Sequence, residues 1–222
     1  MKYILLFFIF LITVNTNAGG IGLGATRVIY PSDANQKTIA VTNSSLSQDF
    51  LISSWVENSK GDKTQDFIVT PPVYVSEKNT ENLLKIVKIK DIPNDNKEQL
   101  YYLNVKAIPS SKKAENEDTQ NVFQFAVLSR IKILVRPKNI DIIPNLEDKL
   151  KIKKEKNEYF LYNPTPYYMN MVNTYINDIK SKENLTVPPY SSLPLLNKNI
   201  SKFRFQLVND YGGLTKTVDL MK

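Results

Sequence analysis

The chain of 222 residues contains neither cysteine nor histidine and carries a formal net charge of +7. It therefore lacks disulfides, thiolate chemistry, the commonest general base and the commonest metal ligand, and no spacing of its carboxylates, serines or lysines indicates catalysis. We predict a protein that is not an enzyme, with no catalytic residues, no metal and no cofactor. Acidic residues are interleaved among its lysines, which is typical of a solvated surface, and weak steering of acidic partners is the alternative. We predict no nucleic acid partner.

The first predicted element is a signal peptide at residues 1–18. An apolar run of about a dozen residues extends from Tyr3 to Val14, the length of a signal-peptide core and too short for a resident membrane helix. Thr16 and Ala18 then supply the small residues that signal peptidase needs. We predict an exported protein, and an N-terminal membrane anchor is the alternative.

The segment at residues 19–24 is rich in glycine and precedes the first predicted strand. We interpret it as a flexible start of the mature chain. No Gly-rich phosphate loop of the usual form occurs in the sequence, so we predict no nucleotide partner.

Short runs that alternate apolar and polar residues follow, each ending at turn-forming residues. About one run occurs every 8–12 residues, which is the spacing expected for a β-sandwich. The strands predicted in this part lie at residues 38–43, 50–56, 67–69, 83–87, 100–108 and 122–135.

Pro137 lacks a backbone N–H group and should end the last of these strands. We predict a linker at residues 137–145, followed by a second set of strands. This set lies at residues 150–152, 159–162, 169–172, 203–208 and 214–221. The sequence thus predicts an all-β protein with two sandwich domains, at residues 19–138 and 139–222.

The long predicted strand at residues 122–135 is apolar on both faces. Asn121, Phe123, Phe125 and Val127 occupy alternate positions and share one face, and the residues between them point the other way. A strand of this kind is normally a buried central strand. An exposed edge strand that the protein keeps for a use is the alternative, because such edges otherwise promote aggregation.

Seven segments, spread over nearly the whole mature chain, match the motifs of one family in its order. They are TRVIYP at 26–31, TPPVY at 70–74, IPNDNKE at 92–98, NVKAIP at 104–109, RIKILVRP at 130–137, NPTPYY at 163–168 and NDYGG at 209–213. Together they resemble the periplasmic pilus-assembly chaperones of the chaperone–usher pathway. The absence of cysteine and the modest loop before the last strand resemble the short-loop branch, although Ser110 stands where the family often has a second proline.

This resemblance implies two immunoglobulin-like domains, arranged at an angle with a cleft between them. It implies that Arg27 and Lys132 bind the C-terminal carboxylate of a pilus subunit, and Arg130 matches the motif less well than Lys132. Glu98, Arg136 and Asp210 match an ion-pair cluster that joins the domains, which we interpret as architecture.

The resemblance also assigns partners to two surfaces. Asn121, Phe123, Phe125 and Val127 would form a donor strand that fills the open groove of a pilus subunit. The outer-membrane usher would contact Pro71, Pro72 and Ile108, for which ordinary strand-end prolines and a core isoleucine are an equal alternative.

The function that the resemblance implies is the binding of pilus subunits by donor-strand complementation and their delivery to the usher. A free chaperone of this kind has the option of covering its donor strand by forming a self-capping dimer. An exported structural fibre subunit is the alternative function, but such a subunit should have one domain with an N-terminal donor extension.

Overall fold

The computed structural model describes residues 19–93, 95–110, 124–156, 158–196 and 199–221. These residues form two β-sandwich domains, each with its own hydrophobic core, so the prediction of a two-domain all-β protein is confirmed. The predicted signal peptide at residues 1–18 and the predicted donor residues Asn121 and Phe123 lie outside the described residues.

The first domain consists of two sheets that face each other across a core of alternating inward side chains. The sheets have the strand orders β1-β3-β7-β5 and β2-β9-β8-β4-β6. The bounds of the strands are β1 Ile21–Leu23, β2 Arg27–Pro31, β3 Gln36–Asn43, β4 Phe50–Asn58, β5 Phe67–Thr70, β6 Val73–Ser76, β7 Thr80–Lys88, β8 Gln99–Pro109 and β9 Val127–Arg136. Tyr30, Ile52, Leu84 and Leu103 are completely buried between the sheets, and Tyr30 and Phe67 pack edge to face.

Our interpretation of residues 19–24 as a flexible terminus is wrong. Strand β1 lies in this segment and pairs antiparallel with β3, and the N–H of Ser44 donates to the carbonyl of Gly20 at 2.9 Å. A Cβ on Gly19 would collide with the backbone of Ser44 and Ser45. The glycine therefore permits a close approach of two chain segments rather than flexibility.

Strand β9 has two different halves. Its C-terminal half, from Lys132 to Arg136, pairs with β8 on one side and in parallel with β2 on the other. Its N-terminal half, from Val127 to Ile131, pairs with β8 alone among the described strands. Both interpretations of this strand therefore hold, one for each half: the second half is central and the first half is an edge.

The predicted strand at residues 122–135 is too long at its start for the residues that the structure describes. Residues 124–126 are described and lie outside β9, which begins at Val127. The pairing of β8 with β9 ends at Ala107 and Val127, and Pro109, which lies level with Phe125 in the continued register, has no N–H group to donate. Phe125 is thus an exposed residue before the strand.

The second domain contains the remaining strands, in sheets of the order β10-β11-β15 and β13-β12-β16-β17, with β14 beside β12. Their bounds are β10 Lys151–Glu155, β11 Glu158–Tyr162, β12 Met169–Ile176, β13 Ile179–Lys180, β14 Leu185–Val187, β15 Ser192–Leu195, β16 Phe203–Leu207 and β17 Val218–Asp219. Leu161, Met169, Phe203 and Phe205 form the centre of its core. The predicted strand at 214–221 is wrong in its extent, because only an isolated bridge at Leu214 and the short β17 form there.

A short 3₁₀ helix, Leu146–Lys149, follows β9 and precedes β10 in the sequence. In the described ranges, no helix has both the length and the apolar character that a membrane span requires.

Candidate functional site

Arg27 and Lys132 lie side by side where β2 joins β9. Arg27 is the first residue of β2, and its Cα partner in the parallel ladder is Lys132. Their neighbours Val28 and Ile133 point into the core, so both cations extend from the outer face of the sheet. The structure thus brings together the two residues that were predicted to bind a carboxylate.

The charges of this pair are not neutralised by an ion pair among the described residues. Arg27 Nη1 donates to the backbone carbonyl of Val208 at 2.9 Å, while Arg27 Nε is buried without a described hydrogen-bond partner. Lys132 makes no ion pair within 4.0 Å in the described part of the chain.

Burial acts against the charged forms of both residues, and like charge acts against that of Lys132. Burial lowers the pKa of Arg27, and the carboxylates of Asp210 and Glu98 oppose that shift. Burial also lowers the pKa of Lys132, and the neighbouring charges of Arg27 and Arg130 lower it further. A bound anion would offset these penalties, and a carboxylate is an anion that accepts charge-assisted hydrogen bonds from two such cations.

Arg130 is the rival cation in the same motif, and it is engaged elsewhere. Its Nη2 lies 3.1 Å from Glu57 Oε2, and its guanidinium lies 3.8 Å from the centre of the Tyr102 ring. Both partners belong to strands β4 and β8, on the side of β9 that faces away from β2. Lys132 is therefore the cation of β9 that stays available beside Arg27.

The free part of the β9 edge ends at these two cations. Val127 is 56% exposed and Phe125 is 79% exposed, so two of the predicted donor residues present apolar surface to solvent. Beyond them along β9, the edge stays without a described partner until Arg27 begins β2. An apolar open edge thus leads directly to a cationic pair.

The predicted ion-pair cluster is close by, at the end of β9. Arg136 Nε and Nη2 each lie 2.8 Å from Glu98 Oε1. Another edge of the guanidinium contacts Asp210, with Nη1 2.6 Å from Oδ2 and Nη2 2.8 Å from Oδ1. Glu98 Oε2 accepts a hydrogen bond of 2.8 Å from the backbone N–H of Tyr168. Residues of the first and second domains therefore meet in one network.

The cluster differs from the cation pair because its charges are mutually neutralised. Burial would lower the pKa of Arg136, but the hydrogen bonds and charges of Asp210 and Glu98 raise it overall. The hydrogen bond from Arg136 lowers the pKa of Asp210 against an opposing effect of burial. Burial raises the pKa of Glu98, whose side chain is almost inaccessible, and the Arg136 charge opposes that shift.

A cleft of about 380 Å³ lies between the domains and is lined by Arg27 and by the whole ion-pair cluster of Glu98, Arg136 and Asp210. The turn at residues 208–213 forms part of its wall, and the Asn209 side chain accepts hydrogen bonds from the N–H groups of Tyr211 and Gly213. This turn supplies the Val208 carbonyl to Arg27 and the Asp210 carboxylate to Arg136. Sequence reasoning missed Val208, since a backbone acceptor leaves no signal in the residue type.

The NPTPYY motif has a structural contact that sequence reasoning also did not assign. The buried amide of Asn163 donates to the carbonyls of Tyr167, Val187 and Pro188. These bonds fix the loop that presents the Tyr168 N–H to Glu98.

The residues predicted for usher contact lie away from the cleft, at the other end of the β4 sheet. Pro71 and Pro72 are exposed and Ile108 is half-buried. Ile108 neighbours Leu51 of β4, which in turn neighbours Val75 of β6, so three apolar side chains form a row on the outer face. Leu51 and Val75 are 40% and 59% exposed, which makes this row an accessible apolar surface.

Comparisons with known proteins place this geometry in a family. The model of the pili and flagellar-assembly chaperone, PapD N-terminal domain, matches residues 20–141, and that of the pili assembly chaperone PapD, C-terminal domain, matches residues 145–218. The chain is 40% identical over 215 residues to the probable fimbrial chaperone SfmC of Escherichia coli K12, which covers 95% of this chain and 93% of the relative.

Solved structures agree with the sequence matches. The periplasmic chaperone SfaE superposes with a TM-score of 0.75 at 38% identity, covering 90% of this chain and 98% of that one. The Salmonella enterica SafB chaperone, solved in complex with the SafA pilin, superposes with a TM-score of 0.78 at 26% identity, covering 91% and 96%.

Proposed function

The chain belongs to the family of pilus-assembly chaperones, which are not enzymes, and from this premise we propose that it binds pilus subunits by donating the edge of β9 and anchoring their C-terminal carboxylate at Arg27 and Lys132. The resemblance in the sequence and the comparisons agree on the family. The open edge that ends at two cations is the observation that carries the proposed mode of binding.

The direction of the edge supports the anchoring step. A subunit strand that runs parallel to β9 along its free half travels toward the start of β2. The C-terminus of such a strand would then lie next to Arg27, the first residue of β2, at the level of Lys132. A carboxylate at this point would receive charge-assisted hydrogen bonds from both side chains, and it would fix the register of the paired strands.

The apolar residues at the start of the edge support the donor step. Phe125 and Val127 are exposed in the free chain, and burial in the groove of a subunit would contribute about 1.5–3 kcal/mol for each side chain before ordering costs. Asn121 and Phe123 lie outside the described residues and extend the same alternation in the sequence.

Two further parts of the proposal concern location and delivery. The signal sequence at residues 1–18 would export the chain to the periplasm, the compartment in which the related chaperone SfaE acts. The apolar row of Val75, Leu51 and Ile108, together with Pro71 and Pro72, is the surface that would contact an outer-membrane usher.

The proposal is tested by co-purification from the periplasm of cells that express the fibre genes. The tagged wild type should carry a small pilin-like protein, identified by mass spectrometry, while Arg27→Ala and Lys132→Ala should lose it. Lys106→Ala is the matched control, since Lys106 is an exposed cation on the same sheet face. If both anchor variants retain the partner as well as the control does, the carboxylate anchor is wrong.

A second pair of variants tests the donor residues. Phe125→Ser should reduce the amount of captured subunit, whereas Leu128→Ser should change it little. Leu128 is also exposed, but it belongs to the alternate set of positions. Equal losses for both variants would contradict donation by the Phe125 and Val127 set.

A further inference from the structure

A strand added to the edge of β9 meets two cations in succession, Arg130 and Lys132. Both side chains extend from the same face, because they are two residues apart in one strand. A shift of the added strand by one residue would turn its side chains to the wrong face, whereas a shift by two residues keeps the face. Such a shift moves the end of the strand by about 6.6 Å, from the level of Lys132 to that of Arg130.

The ion pair with Glu57 makes Arg130 unavailable to the end of an added strand. The pair measures 3.1 Å and carries the guanidinium across the Tyr102 ring, 3.8 Å from its centre. Tyr102 and Glu57 belong to β8 and β4, which lie on the side of β9 opposite its free edge. The contact therefore turns Arg130 away from an incoming strand.

Glu57 is itself held in place for this contact. The indole Nε1 of Trp55 donates to Glu57 Oε1 at 2.8 Å, which leaves Oε2 for Arg130. This hydrogen bond is the largest cause that lowers the pKa of Glu57, and the Arg130 charge acts in the same direction. The carboxylate is therefore ionised at neutral pH.

Glu57 engages Arg130 although it lies level with Lys132. Across the sheet, Glu57 neighbours Tyr102, and Tyr102 neighbours Lys132. Lys132 nevertheless has no ion pair with Glu57 within 4.0 Å, while the diagonal pair with Arg130 is formed. The acidic residue thus neutralises one cation of β9 and leaves the other beside Arg27.

We propose that Glu57 is a positioning residue that sets the register of the bound subunit. By holding Arg130 over Tyr102, it leaves Lys132 and Arg27 as the described cations that a C-terminal carboxylate meets at this edge. The inference rests on the proposed function and adds to it a determinant of register that lies outside the anchor itself.

The test uses the pilin-like subunit that co-purifies with the wild type, expressed together with a form that lacks its last two residues. With the donor residues in the same pockets of the groove, the carboxylate of the shortened form lies level with Arg130. The measured quantity is the ratio of shortened to full-length subunit that each chaperone variant captures from the same periplasm, quantified by mass spectrometry.

Glu57→Gln should raise this ratio about two- to fivefold over the wild type, since capture of the shortened form then no longer has to break the partly exposed ion pair of Arg130. Glutamine keeps the shape of the side chain and an oxygen that can accept the hydrogen bond of Trp55. Glu57→Gln combined with Arg130→Gln should return the ratio to the wild-type value. A subunit that lacks one residue should show no gain, because its carboxylate lies level with Ile131, which points inward.

The possible outcomes separate this inference from the proposed function. An unchanged ratio in Glu57→Gln, or a gain that persists without Arg130, overturns the role of Glu57 while the anchor at Lys132 stands. Equal loss of both subunit forms would show that Glu57 only stabilises the fold, and it also overturns the inference. Failure of the wild type to capture any subunit, or capture that survives Arg27→Ala and Lys132→Ala, overturns the proposed function and the register with it.

Discussion

Two cationic sites lie four residues apart on β9 and have opposite electrostatics. At Arg136, two carboxylates surround the guanidinium, and contacts from the first and second domains meet. At Lys132, the neighbouring side chain is another cation, Arg27, and the described residues provide no carboxylate within ion-pair distance. The first site is closed, and the second is open to an anion from outside the chain.

The difference shows that residue type does not decide whether a charge serves the fold or a partner. Both sites use cations of the same strand, on the same sheet face and next to the same strand β2. The closed site joins residues of both domains, because Glu98 belongs to the first domain and Asp210 to the second. At the open site burial acts against both cations, and the like charge of Arg27 acts against Lys132, which a bound carboxylate would offset.

Arg136→Ala should break the closed site and have the largest effect on stability. It leaves the buried Glu98 carboxylate without its cation, and the loss of one partner of a buried pair costs about 3–5 kcal/mol. We expect a corresponding fall in the free energy of unfolding, measured by urea denaturation with tryptophan fluorescence.

Two variants control this prediction. Glu98→Gln combined with Arg136→Met should recover part of the loss, because no unpaired charge is then buried. Arg204→Ala removes a partly exposed arginine and its ion pair with Asp178 from the second domain and should change stability less. A wild-type unfolding midpoint for Arg136→Ala would show that the cluster does not hold the domains together.

Lys132→Met should show the opposite behaviour at the open site. We expect a loss of subunit binding of about 1.5–3 kcal/mol, the usual contribution of a hydrogen bond to a charged group. The free energy of unfolding should rise by up to ~0.5 kcal/mol once solvent screening is allowed for, since the charged lysine is penalised in the folded state.

The pH dependence of the free energy of unfolding tests the sign of the stability gain in Lys132→Met. The folded-state pKa of Lys132 is lowered, so its penalty is fully present at neutral pH and disappears as the pH rises past the folded pKa toward the unfolded value. The stability advantage of Lys132→Met should therefore shrink between pH 7 and strongly alkaline pH, in urea denaturation series. A variant that is less stable than the wild type at pH 7 contradicts the assignment of an open site.

Much of the fold could be predicted from the sequence, because alternation of apolar residues and turn formers are local signals. The strands around Ile39, Ile52, Leu84 and Leu103 were located in this way, and their buried positions follow the alternation. The glycines at 19–24 were misinterpreted, because a close approach of two backbones and a flexible terminus have the same composition.

The candidate site was predictable only as a set of residues. The motifs named Arg27, Lys132, Glu98, Arg136 and Asp210, but local patterns contain no register. That β2 covers only half of β9, and that Glu57 engages Arg130 rather than Lys132, depends on pairing between distant strands. These two facts leave Lys132 available to a partner and make Arg130 unavailable.

Gly212→Ala should disturb both sites at once, because the turn at 208–213 serves each of them. Gly212 has a φ of +84°, and a Cβ there would lie 2.5 Å from Thr26 Oγ1, next to Arg27. We expect a loss of stability of about 1–2 kcal/mol and weaker capture of the subunit. Gly22→Ala is the control, since a Cβ on Gly22 meets no atom within 4 Å. Equal effects of the two substitutions would show that the turn does not position these sites.

Asp210→Asn should show the smallest loss of stability, the contribution of the outer carboxylate to the closed site. The hydrogen bond from Arg136 lowers the pKa of Asp210 below its ordinary value of 3.8, so its stabilisation is present above that value and is lost as the pH falls through the lower folded pKa. We expect the wild type to exceed Asp210→Asn by about 1 kcal/mol at pH 7, the upper end for a partly exposed pair with paired N–H···O bonds. The gap should close below about pH 4, in urea denaturation at several pH values. A gap that stays constant down to pH 3 would mean that the ionised carboxylate is not what holds Arg136 on this side, and that Glu98 alone closes the site.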